Sequence, residues 1–302
     1  MTALTLALDW TPNINHIGFF IAQEKGFYTD HAIDLTIINP SMDNYAVTPA
    51  KKVELGEAHF ALCPTESIIS YQTKETPFTL KAIAAILQED LSAIVVKKDQ
   101  NINSPKDLDG KSYASYKARY EDGIVQQMIQ NDGGQGTIAI HYPEKLGIWD
   151  TILNNTHDST WIFVNWEGVE AMQHNVELNY FKMSDYNVPY SYSPVIAADG
   201  ELITTHQEAY KNFLTATKKG YLYATEHPAE AVALLTKFLP EKDKTIDLAK
   251  ALHYSASAFG TEETWGKIDR ENITTFLDWI YSKNLEITRL TVSDIFTTNL
   301  LE

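Results

Sequence analysis

Two α/β lobes followed by a helical C-terminal region are what this chain predicts, on three observations. β-rich runs alternate with helical stretches through the first two-thirds, and from Glu208 onward the pattern is almost entirely helical. Between these, the chain crosses from one compact half to the other near Leu87–Leu91 and returns near Asp185–Ser193. Alternation of this kind implies a parallel sheet with helices on both faces. Lobe I is expected to hold residues 1–87 and 187–302, and lobe II residues 88–186. Clefts between domains are preferred ligand sites, and a double crossover suits closure around a ligand. The sequence therefore predicts a ligand cleft between the lobes.

The elements follow in order. Leu4–Leu8 reads as a strand, Ile17–Lys25 as a helix and Asp34–Ile38 as a second strand. The next helix, Ala46–Leu55, carries Pro49 in its first turn, where proline is tolerated. A strand near His59–Leu62, a helix near Glu66–Thr73 and the β-rich run Ala82–Leu87 complete the first third. Ser92–Val96 and Ser112–Ser115 then read as strands, separated by a helical turn at Ser104–Leu108. Tyr120–Asn131 is a helix closed by Gly133-Gly134. Ile138–His141 and Thr160–Val164 are further strands, and Glu167–Gln173 a helix. The tail holds helices over Glu208–Thr225, Pro228–Leu239, Thr245–His253 and Asp269–Lys283.

Composition narrows the function. With 302 residues and a 44% hydrophobic share, the chain can bury a sizeable core. No apolar run approaches the roughly 20 residues of a membrane span, so direct membrane insertion is not expected. A net charge of −16 argues against nucleic acid and anionic lipid, which need clustered Lys and Arg. The single cysteine, Cys63, excludes an internal disulfide and any cysteine-based metal cluster within one chain. His141, His157 and His174 show no metal-ligand spacing, so no metal is expected. Asp132-Gly133-Gly134-Gln135-Gly136 follows a helix and lacks a Gly-Lys-Ser/Thr ending, so it is no phosphate loop. Neither a basic n-region nor an apolar h-region opens the chain. The expectation is a periplasmic or otherwise extracytoplasmic lipoprotein if a leader has been removed, and a cytoplasmic protein if not.

The turn Leu8-Asp9-Trp10-Thr11-Pro12-Asn13-Ile14-Asn15-His16 is the most informative stretch. It joins a strand to a helix, and such turns open at the carboxyl end of an α/β sheet, where ligands bind. An aromatic plate, an acid, two amides and an imidazole stand ready to stack on a flat ring and hydrogen-bond its edge. The competing reading is a connecting loop, with Trp10 in the core and the amides as turn residues.

Four segments carry a family resemblance: Leu8 to His16; Ala22-Gln23-Glu24-Lys25-Gly26-Phe27-Tyr28; Thr48-Pro49-Ala50-Lys51-Lys52-Val53; and Trp161-Ile162-Phe163-Val164-Asn165-Trp166-Glu167-Gly168. Tyr192-Ser193-Pro194-Val195 is a weaker fifth. The chain resembles the type II periplasmic-binding-protein fold. More narrowly, it resembles the family joining bacterial formylaminopyrimidine-binding proteins to the yeast enzyme that makes the thiamine pyrimidine. In the enzyme branch, the resemblance implies, a lysine holds pyridoxal phosphate, a histidine is consumed as substrate, and a CCCFC motif is needed. At the matching positions this chain has Cys63 for the lysine and Ser67 or Glu66 for the histidine. Residues 190–196 hold no cysteine. A Schiff base needs an amine nucleophile, so neither that reaction nor a cofactor is expected.

What the resemblance implies instead is capture of an aminopyrimidine, whose π-faces call for aromatic plates and whose amino group calls for a carboxylate. Trp10 and Trp166 are the expected plates, with Tyr116 or Tyr190 as a third. Glu167 and then Glu66 are the expected carboxylates, and Asn13, Asn15 and His16 would read the polar periphery. Each has a structural competitor. Trp166 suits a core plug, Glu167 and Glu66 suit the first-turn acids that favour a helix N-terminus, and His16 suits a backbone-bonded histidine. The predicted function is a substrate-binding protein for a thiamine-related pyrimidine, with an ABC-transporter permease as a possible partner. A cytoplasmic enzyme of the same metabolism, or a ligand sensor, is the alternative.

Overall fold

The computed structural model describes residues 1–190 and 192–301. Ser191, inside the 190–196 stretch discussed above, and Glu302 lie outside the described residues. In chain order the strands are β1 Thr2–Ala7, β2 Ile33–Ile38, β3 Phe60–Cys63, β4 Leu80–Ala85, β5 Ser92–Lys97, β6 Ser112–Ala114, β7 Ala139–His141, β8 Ser159–Phe163, β9 Leu178–Phe181 and β10 Val195–Asp199. The chain divides into two compact units, Met1–Asp90 with Tyr192–Ile273 and Leu290–Glu302, and Leu91–Ser191 with Thr274–Arg289.

In the first unit the strand order is β2-β1-β3-β10-β4. β1 runs parallel to β2 and β3, whereas β10 is antiparallel to both β3 and β4. The sheet is therefore mixed, not parallel as alternation alone implied. Register gives the reason. Val195, the first residue of β10, pairs with Ala85 and Cys63, the last residues of β4 and β3. The chain re-enters the sheet at the carboxyl edge it left, so the returning strand has to run backwards. The second unit repeats this. Its order is β7-β6-β8-β5-β9, with β5 antiparallel to β8 and β9. Ser92 at the start of β5 pairs with Phe163 at the end of β8. Ala93, Val95, Ile162, Val164, Ala171 and Leu178 form a buried core cluster of this unit.

The helix Gln207–Glu226 of the tail packs on the helix Ile17–Glu24, and the approach is close enough to require glycine on both sides. A Cβ on Gly220 would sit 1.9 Å from the carbonyl oxygen of Gly18, and one on Gly18 would sit 2.1 Å from the Tyr221 ring. From the helix Gln207–Glu226, Thr217 Oγ1 lies 2.9 Å from Tyr28 Oη, and Phe213 stacks on Phe60 of β3 at 4.1 Å. Helix-former propensity makes Gly220 a poor choice inside a helix, so its presence is explained by packing.

The lobe bounds read from sequence also need correction. Residues 88–90, assigned above to lobe II, belong to the first unit and residues 187–190, assigned to lobe I, to the second. Residues 274–289, also assigned to lobe I, pack with the second unit as well. The cause is Glu286, a buried carboxylate that accepts from Arg119 Nη2 at 2.6 Å and from the Tyr120 hydroxyl at 2.7 Å. Leu285 lies against Gly123 and Phe276 meets Tyr190 edge-on at 5.6 Å. In addition, the strands β9 and β10 and the helix Ile148–Leu153 were not anticipated. β9 and the helix are short segments in which polar residues interrupt the apolar pattern.

Gly220→Ala should destabilise the protein by at least the upper end of the roughly 1–3 kcal/mol range of overpacked cores, because the obstacle is a backbone carbonyl that cannot rotate away. Denaturant unfolding checks this, and an unchanged midpoint would refute the close approach.

Candidate functional site

β1 delivers the chain into the turn at Asp9, and the turn is built on its own polar groups. Asn13 has an extended backbone and its side chain accepts from the Asn15 amide at 2.9 Å. The Asn13 amide in turn donates to His16 Nδ1 at 3.2 Å, completing a reciprocal cap on the short helical turn Ile14–His16. With Nδ1 accepting, Nε2 carries the proton and lies 2.8 Å from Asp9 Oδ1. His16 is 1% exposed and the Asp9 side chain 21%. Behind the turn, the Tyr221 hydroxyl donates to the Asn15 carbonyl at 2.5 Å.

This wiring redistributes the roles read from sequence. Asn13 and His16 have internal partners and hold the turn; Asp9, an acid directly after the strand, is the partly exposed group that His16 orients. Trp10 is half-buried and lies 6.0 Å from the Tyr45 ring at 54°. The Tyr45 hydroxyl donates to the Asp9 carbonyl at 2.6 Å. Asn44 and Tyr45 both adopt left-handed backbone conformations, which a non-glycine residue takes only under constraint from its surroundings.

Cys63 ends β3, and Glu66 lies in the first turn of the helix Thr65–Thr73, 4% exposed. Burial pushes the Cys63 thiol well up, and the nearby charges of Asp9 and Glu66 add to the effect. Burial likewise raises the Tyr45 hydroxyl, with Asp9, Cys63 and Asp43 as further causes. Asp9, Trp10, Tyr45, Cys63 and Glu66 thus share one neighbourhood at the carboxyl edge of the first sheet. It offers two acids, two aromatic rings and a neutral thiol, suited to a flat ligand that donates N–H groups. From sequence, Asp9 was the acid of the turn without being one of the chosen ligand carboxylates, and Tyr45 was absent. Asp9 carried a legible signal, its place between β1 and Trp10; Tyr45, 36 positions downstream, carried none.

In the second unit the neighbouring parallel strands β6 and β8 end at Ala114 and Phe163. Tyr116, half-buried, follows β6, and its amide donates to Glu121 Oε1 at 3.0 Å. Trp166 and Glu167 follow β8 at the start of the helix Glu167–Gln173, 4% and 8% exposed. Glu167 Oε2 accepts from the Phe163 amide at 3.1 Å, so this carboxylate ties the strand end to the helix start. Tyr190 packs edge-on against Trp161 at 4.9 Å as well as against Phe276. The sheet edge brings Tyr116, Trp166 and Glu167 to adjacent strand ends, whereas Tyr190 belongs to an aromatic cluster beside β8.

Comparison with known proteins places this architecture. The model of the family described as NMT1/THI5 like matches residues 13–231, well over half of the chain. The chain belongs to the NMT1/THI5-like family. A relative named 4-amino-5-hydroxymethyl-2-methylpyrimidine phosphate synthase, from Legionella pneumophila, is 26% identical over 94% of this chain and 87% of its own length. A formylaminopyrimidine-binding protein from Halalkalibacterium halodurans is 22% identical over 78% of this chain and 70% of its own. Among solved structures, a Candida albicans protein described as exhibiting the generic periplasmic binding protein fold superposes with a TM-score of 0.71. It shares 13% identity and covers 99% of this chain and 97% of its own. The family and the two mixed sheets agree with the type II periplasmic-binding-protein fold read from the sequence.

Pyridoxal phosphate, which the resemblance attaches to the enzyme branch of this family, does not fit the residue at the end of β3. A Schiff base forms on an amine, and Cys63 offers a buried thiol held neutral. Because the thiolate is the reactive form, native Cys63 should resist a thiol reagent at mildly alkaline pH and react once denaturant exposes it. Rapid labelling of the native protein would show that the β3 end is open and its thiol activated.

Proposed function

We propose that this chain is a substrate-binding protein that captures a small heteroaromatic, a thiamine-related aminopyrimidine, for uptake or salvage. The observation that carries the reading is the Asp9 carboxylate, held by a buried histidine beside Trp10 and Tyr45. A pyrimidine ring against Trp10 gains roughly 1–3 kcal/mol from stacking. An amino N–H donated to Asp9 or Glu66 adds about 1.5–3 kcal/mol as a charge-assisted bond. Because His16 is locked by the Asn13 amide, Asp9 needs little reorganisation on binding, which saves ordering entropy. The residues proposed for the second unit are Tyr116, Trp166, Glu167 and Tyr190. The relative named as a formylaminopyrimidine-binding protein supports the ligand class. Delivery to an ABC-transporter permease from an extracytoplasmic location is the setting proposed with it.

The relative from Legionella pneumophila, named as a synthase, favours a second reading, an enzyme of thiamine-pyrimidine metabolism. The buried neutral thiol at Cys63 speaks against one route, the lysine-bound cofactor. Incubation with pyridoxal phosphate and borohydride should therefore leave no adduct on residues of the β1 and β3 ends. A stoichiometric adduct there, followed by pyrimidine formation, would establish the enzyme.

Titration with formylaminopyrimidine or hydroxymethylpyrimidine should quench tryptophan fluorescence. Trp10→Ala, Asp9→Asn, Trp166→Ala and Glu167→Ala should each weaken binding about tenfold or more, or ~1.4 kcal/mol. Undiminished affinity in Trp10→Ala and Asp9→Asn would place the site away from the β1 turn. Absence of binding by the wild type at millimolar ligand would refute the pyrimidine class.

A further inference from the structure

The helix Thr65–Thr73, which carries Glu66, starts without a cap of its own. Pro64 precedes it, and no side chain at that position accepts from the helix head. The first amides of a helix have no partner within it and need an acceptor from outside. Tyr192 supplies one: its carbonyl accepts from the Thr65 amide at 3.2 Å and from Thr65 Oγ1 at 2.8 Å. The acid's helix is therefore tied to residues 192–195, the stretch that enters β10. That stretch is itself fixed to the sheet, since the Pro194 carbonyl accepts from the Ile86 amide at 3.1 Å and Val195 pairs with Cys63 and Ala85.

The other end of Tyr192 holds a second helix head. Its hydroxyl oxygen accepts from the Asp269 amide at 2.9 Å and from Asn272 Nδ2 at 3.3 Å. Asp269 Oδ1 accepts in turn from the amides of Glu271 and Asn272, at 2.7 and 3.2 Å. These residues open the helix Arg270–Ser282, whose later turns, from Thr274 onward, belong to the second unit. Within that unit Tyr190 and Phe276 are again in contact. Residues 190–192 and 269–276 are thus joined twice, once in each unit, and buried Tyr192 joins them to the Glu66 helix.

We infer that Tyr192 is a positioning residue for Glu66: its carbonyl holds the head of the acid's helix while its hydroxyl holds the head of the helix Arg270–Ser282, so that engagement of Glu66 by a ligand and the order of residues 269–272 are coupled. This rests on the reading of Glu66 as a ligand carboxylate and adds the residue that sets it. Coupling between two places is reciprocal. What loosens residues 269–272 weakens binding at Glu66, and what engages Glu66 protects those residues.

Hydrogen exchange of single amides tests the link without a ligand. Tyr192→Phe keeps the ring and the carbonyl and removes only the hydroxyl. Exchange should quicken at Asp269, whose acceptor is lost, and also at Thr65, whose acceptor remains. In Thr65→Val the reverse is expected, faster exchange at Asp269. Asn272→Ala removes one donor at an exposed position and covers the case in which Tyr192→Phe does not fold; it too should quicken Thr65. A merely local role confines each change to its own helix head. An unmoved Thr65 amide in the folded variants, or an unmoved Asp269 amide in Thr65→Val, would overturn the inference. In a parallel arm the probe is hydroxymethylpyrimidine, which should slow exchange at Asp269 in the wild type. Tyr192→Phe should bind it about fivefold or more weakly, the lower end of ordinary coupling between sites. Equal binding by the two proteins contradicts the inference and leaves the pyrimidine reading standing. If the wild type does not bind the compound, the pyrimidine reading fails, and the exchange of Thr65 and Asp269 still decides the role of Tyr192.

Discussion

The contact on which the first unit depends is a backbone one, the approach of Gly220 to the carbonyl of Gly18. Two helices can lie this close only when neither carries a side chain at the crossing. Closeness has a consequence one residue further on, where the Tyr221 hydroxyl reaches the Asn15 carbonyl. That bond fixes the short helical turn Ile14–His16 from behind, while Asn13 and His16 fix it from within. His16 is then free to vary in nothing: one ring nitrogen accepts from the turn and the other faces Asp9. A carboxylate at a strand end is ordinarily a mobile group. Here its direction is set by a chain of contacts that begins in a helix two hundred residues away in sequence.

Both units follow one building rule. Each sheet receives a strand entering at its carboxyl edge, which inverts that strand and leaves its neighbours parallel. The parallel strands deliver their following loops to that same edge, and each unit places buried acids in the first turn of the next helix. Glu66, Glu121 and Glu167 all occupy such positions. An acid there is favoured by the helix dipole, so position alone does not mark a ligand group. Partners separate the cases. Glu121 binds two loop amides and a phenol, and Glu167 binds the amide of a strand end. Glu66 shares a neighbourhood with Asp9, and after burial and Asp9 it adds to the upward push on the Cys63 thiol.

Much of this was legible beforehand because it rests on local pattern. The strand-to-helix turn at Asp9–His16, the proline at the head of the helix Pro49–Glu54 and the span Glu167–Gln173 all follow from short-range signals. Strand direction was not legible, since β10 carries the same apolar run whether it enters from one edge or the other. Nor was the allegiance of residues 274–289. They continue an amphipathic helix that the sequence reads as tail, and only the pairing of Glu286 with Arg119 and Tyr120 moves them to the other unit. At the candidate site, the sequence supplied the residue types but not their hydrogen-bond partners. His16 and Asn13 looked like ligand groups because they are polar and sit in the turn; their bonds within that turn also make them its frame. Tyr45 was invisible because its nearness to Asp9 arises from a left-handed Asn44-Tyr45 pair, with no periodicity to announce it.

The claim that a pre-oriented Asp9 beside Trp10 reads the ligand is tested most directly by a crystal structure of the protein grown with formylaminopyrimidine. The account predicts the pyrimidine amino group within ordinary hydrogen-bond distance of the Asp9 carboxylate, about 2.7–3.2 Å. The ring should lie against Trp10, and the His16–Asp9 contact should be intact. A pyrimidine bound with its polar edge turned away from Asp9, or a His16–Asp9 contact broken on binding, would contradict it.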